Sequence, residues 1–276
     1  MQRPTERITS RQNALLTRIT SLTERKYRRR EGLFRFDGRK LLLEALQADL
    51  PLFAVLLRES KVEEILSCTA ELALPEGCRT AVLPDELFDR ISEEKSPDGV
   101  ICVAKSLDKI HKIITIDKRE TLKAQLLPGK TLVLESVRDP GNLGTVIRTA
   151  TAFGVANLVL SADCADLYHP RTIRAAMGTL FHRNVLVVED LADAVQVLAT
   201  RGNVYAAALD ANASRLGEVS FGTQDSVVVG NEGHGISPET LAACTHTLYI
   251  PMEAGVESLN AGVAASVLLW ELYRGR

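Results

Sequence analysis

A chain of 276 residues, 46% of them hydrophobic and 25% charged, is long enough for one large domain or two ordinary ones and has the composition of a soluble protein. Charged or polar residues interrupt every apolar run, which excludes a membrane-spanning helix, and the amino terminus lacks the apolar stretch of a secretory signal. The five cysteines, Cys68, Cys78, Cys102, Cys164 and Cys244, form no CxxC or Cys/His grouping, so they read as reduced, mostly buried thiols of a cytoplasmic protein with no metal site.

The net charge of −2 conceals an asymmetry: the first forty residues carry twelve Lys or Arg against four acids. Such a skew implies a partner with phosphates. From Ile8 to Arg30 the pattern is helical, with Leu15, Ile19 and Leu22 at i, i+4 and i+7. Arg11, Arg18, Arg25 and Arg29 then fall along one edge of that apolar stripe. These four, with Tyr27 as a ring that can stack on a base, are the candidate RNA contacts. The competing reading is a solvated helix face.

Residues 32 to 106 alternate between strand and helix patterns. Strands are expected at Leu33–Asp37, Leu52–Leu57, Arg79–Leu83 and Gly99–Ala104, and helices at Arg39–Leu50, Val62–Leu72 and Asp85–Ile91. That alternation predicts a small α/β sandwich, giving a first domain over residues 1–106. Charged residues then mix with isoleucines up to Pro128-Gly129, which reads as a linker with a short helix over 107–129.

The remaining domain, 130–276, predicts a parallel sheet covered on both faces. Its strands are expected at Leu132–Glu135, Asn157–Leu160, Val185–Val188, Val204–Leu209, Val227–Gly230 and Thr247–Ile250. Helices are expected at Leu143–Phe153, Arg171–Leu180, Leu191–Thr200, Pro238–Ala243 and along the last stretch to Trp270-Glu271. Twice a buried strand stops at a polar turn that opens a helix, the place where open α/β sheets bind ligands. No dinucleotide or P-loop fingerprint occurs; Gly230 to Gly235 spells GxxGxG, the wrong order for the dinucleotide one.

Three motifs carry a family resemblance. They are Asp139-Pro140-Gly141-Asn142-Leu143-Gly144-Thr145-Val146-Ile147-Arg148, then Gly230-Asn231-Glu232-Gly233, then Glu257-Ser258-Leu259-Asn260. In this order the chain resembles the SpoU (TrmH) branch of the SPOUT RNA methyltransferases over residues 130–273. Over residues 8–106 it is similar to the L30e-like substrate-binding domain that precedes many of them. The resemblance implies an α/β fold whose carboxy-terminal parallel-sheet domain holds a trefoil knot, and a homodimer with its site near the subunit interface. It implies S-adenosylmethionine (SAM) as cofactor and transfer of its methyl to a ribose 2′-hydroxyl of rRNA or tRNA, rRNA being favoured.

By the same resemblance, backbone groups of Gly230, Ile250 and Leu259 hold the adenosine, with Leu134 near the pocket floor. Arg148, Asn142, Glu232, Ser258 and Asn260 match the catalytic positions. Among Thr145, Val146, Ile147, Thr149 and Ala150, Arg148 reads as a lone cation in apolar surroundings, in need of an anion. Its high pKa argues for a phosphate clamp that favours the developing alkoxide, rather than a base. Glu232 is expected to pair with Arg148 or to orient the ribose. Asn142 suits a helix N-cap, as does Ser258, and capping can coexist with function. Small residues from Ala261 to Ser266 suit close helix approach within the fold or across a dimer. Two other classes remain open at this point: a non-catalytic RNA-binding scaffold, and a base methyltransferase.

Overall fold

Hydroxyl side chains break the basic amino-terminal segment in two. The structure is a computed structural model that describes residues 3–4, 6–253, 255–256 and 258–274, so Glu257 of the third motif lies outside the described residues. After a two-residue strand, β1 (Glu6–Arg7), come α1 (Ala14–Ser21) and α2 (Arg25–Glu31) in place of one continuous helix. Ser21 Oγ donates to the Arg18 carbonyl at 2.7 Å, and Thr23 Oγ1 donates to that of Thr20 at 3.0 Å. Hydroxyls that bond backbone carbonyls in this way compete with helix continuation. Arg28 is buried at the break, where its guanidinium donates to the carbonyls of Leu22 and Thr23 at 2.8 and 2.6 Å. The single arginine edge is therefore not formed: Arg11 precedes α1, Arg18 lies on α1, and Arg25 and Arg29 lie on α2.

The chain divides into two compact units, Met1–His111 with Tyr168–His182, and Lys112–Leu167 with Arg183–Arg276. The first continues with β2 (Leu33–Asp37), α3 (Arg39–Gln47), β3 (Leu52–Arg58), α4 (Val62–Cys68), β4 (Arg79–Leu83), α5 (Asp85–Ile91) and β5 (Val100–Lys105). Its sheet runs β1-β4-β3-β5-β2, with β5 antiparallel to both neighbours and the other pairs parallel. Leu15, Leu16, Ile19 and Leu22 pack with Phe88 of α5 on one face of this sheet, so α1 is part of the core. Arg35 is buried and forms a two-pronged pair with Asp37 at 2.8 and 3.0 Å; Asp37 also accepts from Ser92 and the Glu93 amide. Partners of that kind are what a buried ion pair requires.

The second unit contains β6 (Ile113–Ile116), α6 (Arg119–Gln125), β7 (Thr131–Leu134), α7 (Pro140–Ala152) and β8 (Asn157–Ser161). After α8 (Pro170–Ala176), which belongs to the first unit, come β9 (Val185–Val188), α9 (Leu191–Ala199), β10 (Val204–Ala207), β11 (Ser214–Arg215) and β12 (Ser226–Val229). Then follow α10 (Pro238–Ala243), β13 (His246–Tyr249) and α11 (Ala261–Arg274). The eight strands run β11-β13-β10-β12-β7-β8-β9-β6, every pair parallel. Every residue of β7, β8 and β12 is buried, as a parallel sheet with two covered faces demands. The stretch 107–129 is not a simple linker: Ile113, Ile114 and Ile116 form the edge strand β6 beside β9, and α6 follows. A four-residue edge strand flanked by lysines carries too little apolar pattern to stand out. The five cysteines are unpaired, but only Cys102 is buried and Cys68 is exposed.

The excursion Tyr168–His182 supplies aromatic rings to the first unit. Phe34 lies 5.0 Å from Tyr168 and Phe36 lies 5.1 Å from Phe181, centroid to centroid. Phe181 is fully buried. Phe181→Ala removes a large side chain from a packed cluster and is expected to cost about 3–5 kcal/mol in denaturant unfolding. A loss under about 1 kcal/mol would show that the excursion contributes little to this core.

Candidate functional site

Strand order alone marks one crevice. The chain runs from β7 to β8 and β9 on one side, then crosses to β10 and β12 on the other. The direction reverses between β7 and β12, and ligands of open α/β sheets bind above the carboxyl ends of strands at such a reversal. Two of the three motifs begin there.

At the end of β7, Leu134 is fully buried and Glu135 is nearly so. The Glu135 amide donates to the Val229 carbonyl at 2.9 Å, extending the β7–β12 pairing by one residue. Its carboxylate accepts from the Ser237 amide at 3.0 Å and from Thr240 Oγ1 at 2.9 Å, which fixes the first turn of α10. The segment between, Gly230 to Ile236, is a tight loop. Asn231 and Gly235 exchange two backbone hydrogen bonds of 2.9 Å, and the Asn231 side chain accepts from the amides of Gly233 and His234. Gly230 is obligatory here, because a Cβ would sit 2.3 Å from the Gly235 carbonyl group.

The helix after β7 starts differently from the sequence expectation. Asp139 is the N-cap of α7, accepting from the Asn142 amide at 2.9 Å, with Pro140 in the first turn. Asn142 is thus three residues past the cap, inside the first turn of the helix, and its side chain is released from capping. Its Nδ2 donates to Glu232 Oε1 at 2.5 Å, joining the first and second motifs. Glu232 therefore pairs with Asn142 and not with Arg148.

Arg148 is exposed, and its side chain has no hydrogen bond or ion pair among the described residues. Its apolar sequence neighbours Val146 and Ile147 turn into the core while the guanidinium faces out, so it is not a buried cation. Six residues on from Asn142, it leaves α7 about 120° around the helix from that side chain.

The third motif meets the first through α11. Asn260 Oδ1 accepts from the amides of Gly262 and Val263 at 3.0 and 3.3 Å, so Asn260 caps α11 and Ser258 does not. Ser258 is exposed and has no partner among the described residues. A Cβ on Gly262 would stand 3.1 Å from Asn260 Oδ1 and 3.3 Å from Asn142 Oδ1. Glycine at 262 therefore lets the two asparagines converge. A groove opens beside them, lined by Asn142, Thr145, Asn260, Gly262, Val263 and Trp270. Ile250 and Leu259 are half-buried, and their backbone groups make no hydrogen bond among the described residues, which leaves N–H and C=O groups for a ligand.

The basic residues of the first unit are partly engaged. Arg18 pairs with Glu31 at 2.8 Å and lies over the Phe53 ring at 4.6 Å. Hydrogen bonds from Arg30 and Arg18 hold the Glu31 carboxyl below its ordinary range. Tyr27 is half-buried, with the cations of Lys26 and Arg30 each 4.8 Å from its ring centroid. Arg11, Arg25 and Arg29 are exposed.

Sequence reasoning passed over Glu135, Ser136, Asp139 and Asn231. A lone acid ending a buried apolar run was the available signal for Glu135. Pro140 directly after an aspartate was the signal for the true cap.

Residues 129–270 match the model of the SpoU rRNA Methylase family, and residues 13–102 match the MRM3-like substrate binding domain. The chain is 30% identical over 268 residues to the 23S rRNA (guanosine(2553)-2′-O)-methyltransferase RlmP of Bacillus subtilis, covering 97% of this chain and 99% of that one. A solved RNA 2′-O ribose methyltransferase superposes with a TM-score of 0.79 at 25% identity over 98% of each chain. The AdoMet-bound rRNA methyltransferase of Sinorhizobium meliloti shares the fold, with a TM-score of 0.80 at 24% identity over 98% and 97% of the two chains.

Proposed function

The chain belongs to the SpoU rRNA methylase family, SAM-dependent enzymes that methylate RNA ribose 2′-hydroxyls, and we propose that it acts on rRNA at the crevice between the exits of β7 and β12. The observation that carries this reading is the 2.5 Å contact between Asn142 and Glu232, ninety positions apart, beside a helix capped by Asn260. Residues of the first, second and third motifs meet there. The rRNA preference is supported by the similarity to RlmP, which is named for 23S rRNA.

The cofactor supplies an electrophilic methyl on a sulfonium. In our reading the backbone of Gly230, Ile250 and Leu259 receives its adenosine over the floor made by Leu134, and the unused backbone groups at 250 and 259 suit that work. Glu232, steadied by Asn142, orients the ribose, and Ser258 with the side-chain nitrogen of Asn260 holds the hydroxyl. Arg148 contacts the adjoining phosphate and favours negative charge as it develops on the 2′-oxygen. The trefoil knot and the cytoplasmic location belong to the same reading.

RNA contact is assigned to Arg11, Arg18, Arg25, Tyr27 and Arg29. With Arg18 tied to Glu31, the exposed arginines of α2, Arg25 and Arg29, carry most of it. A homodimer is assigned to the outer face of α11. Val263, Val267, Trp270 and Tyr273 remain exposed at helical spacing, whereas the small residues Ala261, Gly262 and Ala265 are buried. An apolar face of that kind marks an interface.

Three outcomes follow from these roles. Arg148→Lys is expected to lower kcat about a hundredfold with SAM affinity unchanged in calorimetry; near-normal turnover would end the transition-state role. Arg25→Glu with Arg29→Glu, charge reversals that spare the α1 core, are expected to flatten the dependence of log affinity on log salt by about 0.7 per lost phosphate contact. An unchanged slope would move the RNA path elsewhere. Trp270→Glu is expected to leave a monomer in light scattering, and a retained dimer would exclude the α11 face. Mapping of 2′-O-methyl groups by mass spectrometry, in RNA from cells with and without the gene, tests the activity itself.

A further inference from the structure

The loop that presents Glu232 is fastened at both ends to two consecutive residues, Glu135 and Ser136, which lie in none of the three motifs. Glu135 holds the far end through Ser237 and Thr240. Ser136 holds the near end, because its carbonyl accepts from Asn231 Nδ2 at 2.8 Å. The other end of that same asparagine side chain receives the Gly233 and His234 amides. The direction of the Ser136 carbonyl therefore sets the orientation of the loop tip, and with it the reach of Glu232 to Asn142.

Ser136 itself is strained. Its φ is +53°, in the left-handed region that residues with a Cβ seldom occupy. Surroundings that over-determine such a residue are required to keep it there. The Ser136 amide donates to Ser161 Oγ at 2.8 Å, and its hydroxyl donates to Asp163 at 2.6 Å. Asp163 also receives Ser161 Oγ at 2.7 Å and the Arg138 guanidinium at 3.1 Å. Burial alone would raise the Asp163 carboxyl, but those two hydroxyls and the guanidinium outweigh it and hold it below the ordinary value. One carboxylate thus collects the side chains that pin the turn.

We propose that Asp163 is a positioning residue for methyl transfer: it holds Ser136 left-handed, Ser136 aims its carbonyl at Asn231, and Asn231 shapes the 230–235 loop before the cofactor arrives. The inference rests on the reading that this loop receives SAM. Asp163 touches neither substrate nor cofactor in that scheme, and its effect passes through the two residues between.

The test uses the full chain. Hydrogen exchange at the Gly233 and His234 amides is measured without cofactor, and SAM affinity by calorimetry. Asp163→Ala is expected to speed exchange at both amides and to weaken SAM about tenfold, with kcat at saturating SAM less affected. Adding Ser136→Gly restores both readouts, because glycine takes the left-handed conformation without help. A purely structural role for Asp163 would not be rescued in this way. Unchanged exchange in Asp163→Ala, or no recovery with glycine at 136, overturns the proposal. Should Asp163→Ala not fold, Ser136→Ala removes only the hydroxyl: faster exchange at 233 and 234 supports the proposal, and unchanged exchange defeats it. Failure of the unaltered protein to bind SAM would instead overturn the assigned function, and the exchange measurements would still decide whether Asp163 shapes the 230–235 loop.

Discussion

Parallel pairing of β7 with β12 is the constraint from which the site follows. Four register pairs, from Thr131 with Ser226 to Leu134 with Val229, bring two strands distant in the chain to a common end. Both are buried on both faces, so a slip in register would expose apolar side chains along the whole strand. Fixed register sets Leu134 opposite Val229 and brings the Glu135 amide to the Val229 carbonyl, and everything polar beyond that point is measured from there. The 230–237 loop has little freedom left: its first glycine is closed over by the Gly235 carbonyl, and its last residue is bonded to Glu135.

Much of this was legible in the chain because apolar blocks and turn residues agree locally. Strands Leu33–Asp37, Arg79–Leu83 and Val185–Val188, and helices Asp85–Ile91 and Pro238–Ala243, match the periodic reading to the residue. What escaped was either short or non-local. β1, β6 and β11 are edge strands of two to four residues, too brief for a pattern to rise above their charged flanks. The break between α1 and α2 turns on hydroxyls that bond carbonyls three residues back, whereas apolar spacing runs through it undisturbed. Tyr168–His182 joins the first unit through rings on Phe34 and Phe36, a pairing of distant positions that no window along the chain can contain.

Within the site, the residue types were readable and their partners were not. Asn142 and Ser258 both suit helix caps, but Asp139 and Asn260 take those places. The exchange matters chemically. A capping Asn142 would have its side-chain oxygen bound to backbone, whereas the observed residue offers its amide to Glu232. Gly262 then has a local reason: any Cβ there would press on both asparagines.

The same pairing explains why the Arg148 guanidinium has no partner among the described residues. A carboxylate at Glu232 within reach of the guanidinium would neutralise it before any phosphate arrived, and binding would first have to break that pair. Asn142 holds Glu232 at 2.5 Å, and Arg148 leaves the helix on another side. In water such an exposed cation acts weakly, because the surrounding dielectric is high. Its influence grows only when a substrate covers it and removes the water. An exposed arginine costs the free protein no desolvation, and under the role proposed for it Arg148 gains strength only in the bound state where the reaction occurs.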